Sequence, residues 1–227
     1  MVLMFVYVFG SAMNIDGTGS HEQYVRFAMP GLFTMVMSFG CMSTAWAMAF
    51  NKERGFIDRF RSMPMAPSAV VTGRGVSDTV QSLLDLTVIV VVAHVVGWRA
   101  ETVPAAIGAF GLLLLLRFAL IWVGVFLGLL MKSAETAILM FALVFPFTMI
   151  SSVFTPPSLM PGWLGAVAMW NPISSTANAT RDLFGNPLPV GDAWIENNAL
   201  LMSLLWPAGI TVVFLTLSVW RYQRLGR

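Results

Sequence analysis

Five stretches of this chain are each long and apolar enough to cross a bilayer, approximately residues 28–50, 76–97, 103–131, 134–154 and 195–220. Each comes close to the ~20 apolar residues that a helix needs to span the hydrocarbon core. No soluble domain has room for five such runs. Composition agrees: 11% of the 227 residues are charged and 57% are hydrophobic, whereas soluble domains carry about 25% charge. Too little polar surface exists to cover a globule in water, so the chain is expected to be an all-α integral membrane protein. In lipid the backbone must satisfy its own hydrogen bonds, and a single span does so only as a helix. A sixth run, residues 1–13, is apolar but about half as long as a span. It reads as the outer half of a span whose beginning is missing, in preference to a signal peptide, since no basic residues precede the apolar core.

Sidedness follows from where the cations fall. Residues 51–75 hold Lys52, Arg54, Arg59, Arg61 and Arg74 against Glu53 and Asp58. Lys132 follows the 103–131 run, and Arg221, Arg224 and Arg227 follow the last. The alternate connections hold one Arg each beside acids, so the cation-rich set is cytoplasmic. This gives six crossings with the first incomplete. Trp98, Trp194 and Trp220 fall where an aromatic belt would lie. The net charge of +2 is explained by this orientation, and no nucleic-acid partner is expected. Cys41 is the only cysteine, which excludes an intrachain disulfide. No GxxxxGK[ST] run is present, so the usual phosphate-cradling loop is missing from this sequence. Nor does any cysteine, histidine or acidic spacing suggest a metal site.

The segment "NKERGFIDRFRSMPMAPSAVVTGRG", residues 51–75, is the most polar internal stretch. Within it Phe56, Ile57, Phe60 and Met63 fall at i, i+1, i+4 and i+7, one stripe of a short helix over residues 53–63. Pro64 and Pro67 end it. Such a helix either floats among lipid headgroups or docks on a cytoplasmic partner. Its mixture of acids and bases suits a protein groove better than an anionic membrane, which rewards positive charge alone.

These residues carry a resemblance. Glu53, Arg54, Gly55, Asp58, Arg59, Arg61, Ser62 and Pro64, then Gly73 and Arg74, match the pattern E-R-G-x-x-[DE]-R-[LF]-R-[ST]-x-P followed by G-R. That pattern is similar to the first cytoplasmic loop of type-2 ATP-binding-cassette exporter permeases, especially the daunorubicin-resistance group. A second match lies on the opposite expected side. Pro157, Met160, Pro161, Trp163, Asn171, Pro172, Arg181 and Gly185 resemble the family's outer segment before the last span. The resemblance implies a six-span permease fold over residues 1–227, in a bacterial cytoplasmic membrane. It also implies an ATPase-coupling helix that includes Glu53, Arg54, Phe56, Ile57, Asp58, Arg59, Phe60 and Arg61. ATP and Mg would be bound by partner ATPase subunits, with no cofactor in this chain. A second copy or a sister permease would complete the transporter.

Residues 156–186 are not plain linker. "PGWLGAVAMW" and "ISSTANATRDLFG" read as two short helices that reverse at Pro172. They are expected to form a re-entrant hairpin, which the resemblance implies is an outer gate bearing Pro161, Trp163, Asn171, Pro172 and Arg181. Irregular backbone at that depth must lie against protein or a wet cavity. Two intramembrane polar residues stand out, Asp85 and Arg117. A central Arg costs about 2.5–3.5 kcal/mol on insertion scales, so Arg117 is expected to pair with Asp85 or to line the cavity. Met35, Met37, Met42, Met48, Phe141, Phe145, Phe147 and Met149 are candidates for the lining of the path, because flexible thioethers and rings accept varied apolar cargo. The expected function is ATP-driven export of a hydrophobic drug, polyketide or lipid. An ion-gradient-driven secondary transporter is the main alternative. A membrane enzyme would need paired catalytic polar groups at one face, and a further rival is an anchoring subunit with no transport path.

Overall fold

A computed structural model describes residues 21–55, 67–131, 133–186 and 193–224. All regular structure among them is helical. In chain order the helices are α1 (His21–Glu53), α2 (Pro67–Val95), α3 (Val103–Leu130), α4 (Leu139–Met149), α5 (Gly162–Met169), α6 (Pro172–Leu183), α7 (Trp194–Asn197) and α8 (Ala199–Arg224), with 3-10 turns at Glu135–Ile138 and Pro157–Leu159. Four of these, α1, α2, α3 and α8, are long and apolar enough to cross a membrane. The chain is therefore a multi-pass membrane protein. Residues 1–13 and 56–61 lie outside the described residues, so the partial first span and most of the expected coupling helix receive no structural account.

The core is built on α1 and α3. Both are largely buried, whereas α2 and α8 keep most of their surface open. The reason is local to one pair of glycines. Gly124 and Gly128 sit one turn apart on α3, and a Cβ on either would stand 2.6 Å from a backbone oxygen of α1, Cys41 O and Ala45 O respectively. Small residues at this spacing let two helix backbones touch, which supplies packing where lipid leaves no hydrophobic driving force between helices. Hydroxyls inside α1 cause no difficulty. Thr34 and Ser38 donate to the carbonyls of Pro30 and Thr34, at 2.9 and 2.8 Å, one turn back.

The two ends of the molecule separate as the charge pattern requires. Met48, Trp122, Leu129 and Tyr222 pack together at one end, which also carries Lys52, Arg54, Arg221 and Arg224. At the other end Trp98 meets Phe33 and Phe184 edge-on, with centroids 5.1 and 4.9 Å apart. Trp98 is thus a core residue and not part of an interfacial belt, since only 3% of it is exposed. The aromatic cluster around it outweighs an indole contact with lipid headgroups. Trp194 and Trp220 are open to the surroundings, as a belt needs.

Two expected spans are interrupted. The 195–220 run breaks at Asn198, whose side chain donates to Trp194 O at 2.8 Å and turns the chain between α7 and α8. The 134–154 run is not one helix. It forms a 3-10 turn and then α4, only 11 residues long, which reaches about 16 Å at 1.5 Å per residue. Pro146 lies inside α4 and takes one hydrogen bond from the ladder. Beyond Met149 the chain runs without helix through "ISSVFTP", residues 150–156, apart from turns and bends.

Candidate functional site

The interrupted run is where the structure concentrates its polar side chains. Carbonyls freed at the end of α4 need donors, because the bilayer core offers no water. They find them on one face of α6. Asn171 Nδ2 donates to Phe147 O at 2.8 Å and to Ile150 O at 2.7 Å. The same side chain's Oδ1 accepts from Ile173 N at 2.9 Å and so caps the start of α6. One amide therefore closes the end of one helix and opens another. Pro172 occupies the first turn of α6, where its missing N–H costs nothing.

Further along that face, Ser174 Oγ accepts from Ser152 N at 2.9 Å, and Asn178 Oδ1 accepts from the Ser152 hydroxyl at 2.7 Å. Arg181 completes the row. Its two terminal nitrogens donate to Ser152 O and Val153 O, both at 2.7 Å, and its guanidinium lies 4.8 Å from the centre of the Phe27 ring. It is fully buried against Gly31 of α1, where a Cβ would come within 3.0 Å of the guanidinium. Residues 171, 174, 178 and 181 are spaced by three and four, which places them on one helical stripe. Ser174 and Asn178 were not among the residues singled out from the sequence. The signal was present as a polar i, i+3, i+7, i+10 row, masked by Ser175, Thr176, Thr180 and Asp182 between and beside its members.

Helix α6 lies antiparallel to α3. Gly108 faces Leu183, Leu112 clusters with Ala179, and Leu120 and Val123 share a cavity wall with Pro172 and Ile173. The start of α6 thus sits beside the seventeenth residue or so of α3, about 25 Å along that helix from Val103. Of the five residues expected at an outer gate, Asn171, Pro172 and Arg181 form this buried unit. Pro161 and Trp163 do not join it. Both are exposed, Pro161 just before α5 and Trp163 in its first turn, with Trp163 73% exposed.

Arg117 is buried at the junction of α1, α2 and α3. Its guanidinium occupies the space a Cβ of Gly40 would need, and its Nε donates to Ser82 Oγ at 2.8 Å. The expected pairing with Asp85 is not formed. Asp85 accepts from Gln81 at 3.1 Å, and the buried Asp78 holds Arg74 at 3.0 Å and by a second bond. Depth alone pointed to Asp85. Ser82, one turn before Asp85 on the same side of α2, meets the guanidinium instead.

At the cationic end, Glu53 and Arg54 are the described members of the expected coupling set. Glu53 Oε2 accepts from Ala134 N at 2.9 Å, and Arg54 lies over the Phe50 ring at 4.2 Å. Lys52, named above for sidedness and not for coupling, donates to Leu129 O and Met131 O at 3.0 and 2.9 Å, a cation at the carbonyl end of α3. The residues offered as a path lining do not line one surface. Met35, Met37 and Met48 are core residues in three separate clusters. Phe141 and Phe145 stack on each other, 5.1 Å apart, and on Phe39. Of the set, Phe147 lines a cavity bordered by α1, α3, α4, α6 and α8.

A family model described as "ABC-2 type transporter" matches residues 1–184. The daunorubicin resistance ABC transporter permease protein DrrB1 of Streptomyces coeruleorubidus is 27% identical over 227 aligned residues, covering 98% of this chain and 75% of that protein. "Putative transport permease ycf38" of Cyanophora paradoxa is 22% identical, covering 79% of this chain and 61% of its own length. The protein of the same name from Porphyra purpurea is 25% identical, with 73% and 58% covered.

Proposed function

Given that this chain belongs to the ABC-2 type transporter family, we propose that it is the membrane-spanning permease subunit of an ATP-binding-cassette exporter. Its cargo is a hydrophobic drug, polyketide or lipid, and a separate ATPase subunit supplies the energy. The observation that carries this reading is likeness along almost the whole chain to a permease whose name states drug resistance. The permease fold would have six spans and would pair with a second copy or a sister permease. Nucleotide and Mg would sit on the ATPase, and this chain would carry out no covalent chemistry.

In this reading residues 53–63 form the lever that the ATPase moves. Lys52 and Glu53 support it: they bind the end of α3 and the start of the connection into α4. A push on the loop after α1 would reach α4 through these bonds. At the far side, α5 and α6 would be the re-entrant hairpin. Asn171 and Arg181 would hold it to the non-helical end of the fifth crossing, and so set how readily the outer side opens. An open, polar backbone at that depth would need such a set of fixed donors.

The test is purification from the native host in mild detergent. An ATPase subunit is expected to co-purify, and Arg59→Glu with Arg61→Glu is expected to release it and to abolish export. Intact export by the double variant, with no ATPase bound to the wild-type protein, would exclude the proposal.

A further inference from the structure

The cavity bordered by Phe147 has a volume of about 290 Å³. Among the described residues that line it none is charged, and the side-chain O–H and S–H groups are those of Ser38 and Cys41. The Ser38 hydroxyl is already donated to Thr34 O at 2.8 Å. At the inner end of α6, Pro172 has no N–H to offer, and the N–H of Ile173 is taken by Asn171 at 2.9 Å. Nothing on this wall could solvate a charge or replace the hydrogen bonds of a polar group, and burying either unpaired is costly. Water is disfavoured for the same reason, since a well-ordered buried water makes about three hydrogen bonds.

Size narrows the ligand further. An engineered apolar cavity of about 150 Å³ takes benzene, and this one is nearly twice as large. It lies just under the ~300–1,000 Å³ of sites for drug-sized molecules, so it fits one apolar part of a larger molecule. A way in is also visible: Phe147, on the wall, is 47% exposed on the outer surface of α4.

We propose that this cavity binds the uncharged hydrocarbon or aryl part of a ligand, about the size of two fused aromatic rings, entering from the membrane past Phe147. The inference deepens the transport reading and rests on it for the view that the ligand is cargo. The same chemistry is found in a bilayer acyl chain, so the test carries both sources.

Full-length protein in lipid nanodiscs, without nucleotide or ATPase, is irradiated with a diazirine-bearing naphthalene, and the adducts are mapped by mass spectrometry. Val88 and Val212, 63% and 67% exposed, report labelling from the lipid side. Cys41 and Met140, each 3% exposed, report the cavity. Adducts at Cys41 and Met140 are expected, lost with excess naphthalene and kept with naphthalene-2-sulfonate, while Val88 and Val212 stay labelled throughout. Val144→Trp, and separately Val123→Phe, should fill the cavity and remove only its adducts. A phospholipid with a diazirine in its acyl chain forms the second arm. Cavity adducts from this lipid alone would make the ligand a bilayer chain, and adducts from the naphthalene would make it cargo-like. Cys41 and Met140 free of adducts in both arms, or equal competition by the sulfonate, would overturn the site. Because no ATPase takes part, a chain that co-purifies with one but stays unlabelled here loses this site and keeps its transport role.

Discussion

Among the described residues two arginines are buried, and each occupies room that a glycine of α1 leaves free. Arg117 lies against Gly40 and Arg181 against Gly31. The presence of Arg117 was legible, because a cation inside "GLLLLLRFALIW" must face protein. Its partner was not, since sequence gives depth along a helix far better than the angle at which another helix meets it. Gly40→Val should place a branched side chain in the guanidinium and destabilise the fold by about 1–3 kcal/mol, as overpacking does. Arg117→Leu in the same chain should recover part of that loss, and thermal unfolding in detergent would show whether the two effects couple. Arg181 poses a different demand. Arg181→Met would leave Ser152 O and Val153 O without donors, at about 1–3 kcal/mol for each buried group. Arg181→Lys should restore less than half, because a single ammonium does not reproduce the planar fork that reaches both carbonyls. Equal melting temperatures for the Lys variant and wild type would refute that account.

The interrupted fifth run shows how an element can be set by another element. By hydropathy alone residues 134–154 make an ordinary span, and Pro146 with Ser151 and Ser152 gives only a faint warning. What breaks the helix for good is the supply of alternative partners from α6, fixed by Asn171, Ser174, Asn178 and Arg181. The two short helices α5 and α6 were legible from their apolar runs and from Pro172. That α6 is buried while α5 stays exposed was not, because both read as short and α5 is the more hydrophobic of the two. Asn171 allows the two roles of its amide to be separated. Asn171→Asp keeps the oxygen that accepts from Ile173 N and loses the donors to Phe147 O and Ile150 O. Amide hydrogen exchange should quicken across residues 148–153 and stay slow at the start of α6, whereas Asn171→Ala should quicken both. Unchanged exchange in the Asp variant would mean that other groups hold the end of α4.

For the whole molecule, the packing of α1 on α3 is the contact from which the rest is hung. Its basis is "GVFLG", Gly124 to Gly128, which brings the backbones together at Cys41 and Ala45. Replacing both glycines by leucine should force the helices apart and abolish the monodisperse folded protein in size-exclusion chromatography. Replacing both by alanine should lower the melting temperature and preserve folding. A leucine double variant that elutes and melts like wild type would remove this pair from its central place. Around the pair, α2 and α8 present Val80, Leu84, Val88, Leu205 and Val212 outward, as helices against lipid do.

Length, hydropathy and the placement of cations decided by themselves that this chain enters a membrane, which ends of its helices share a side, and where its connections fall. Those properties are sums over segments, and the bilayer reads them before any helix meets another. The partners of the buried arginines, the place where a span gives way, and the apolar cavity beside Cys41 were decided only in three dimensions. Each depends on the rotation of one helix against its neighbour and on which carbonyls are left needing donors, and neither quantity is defined until the helices have packed.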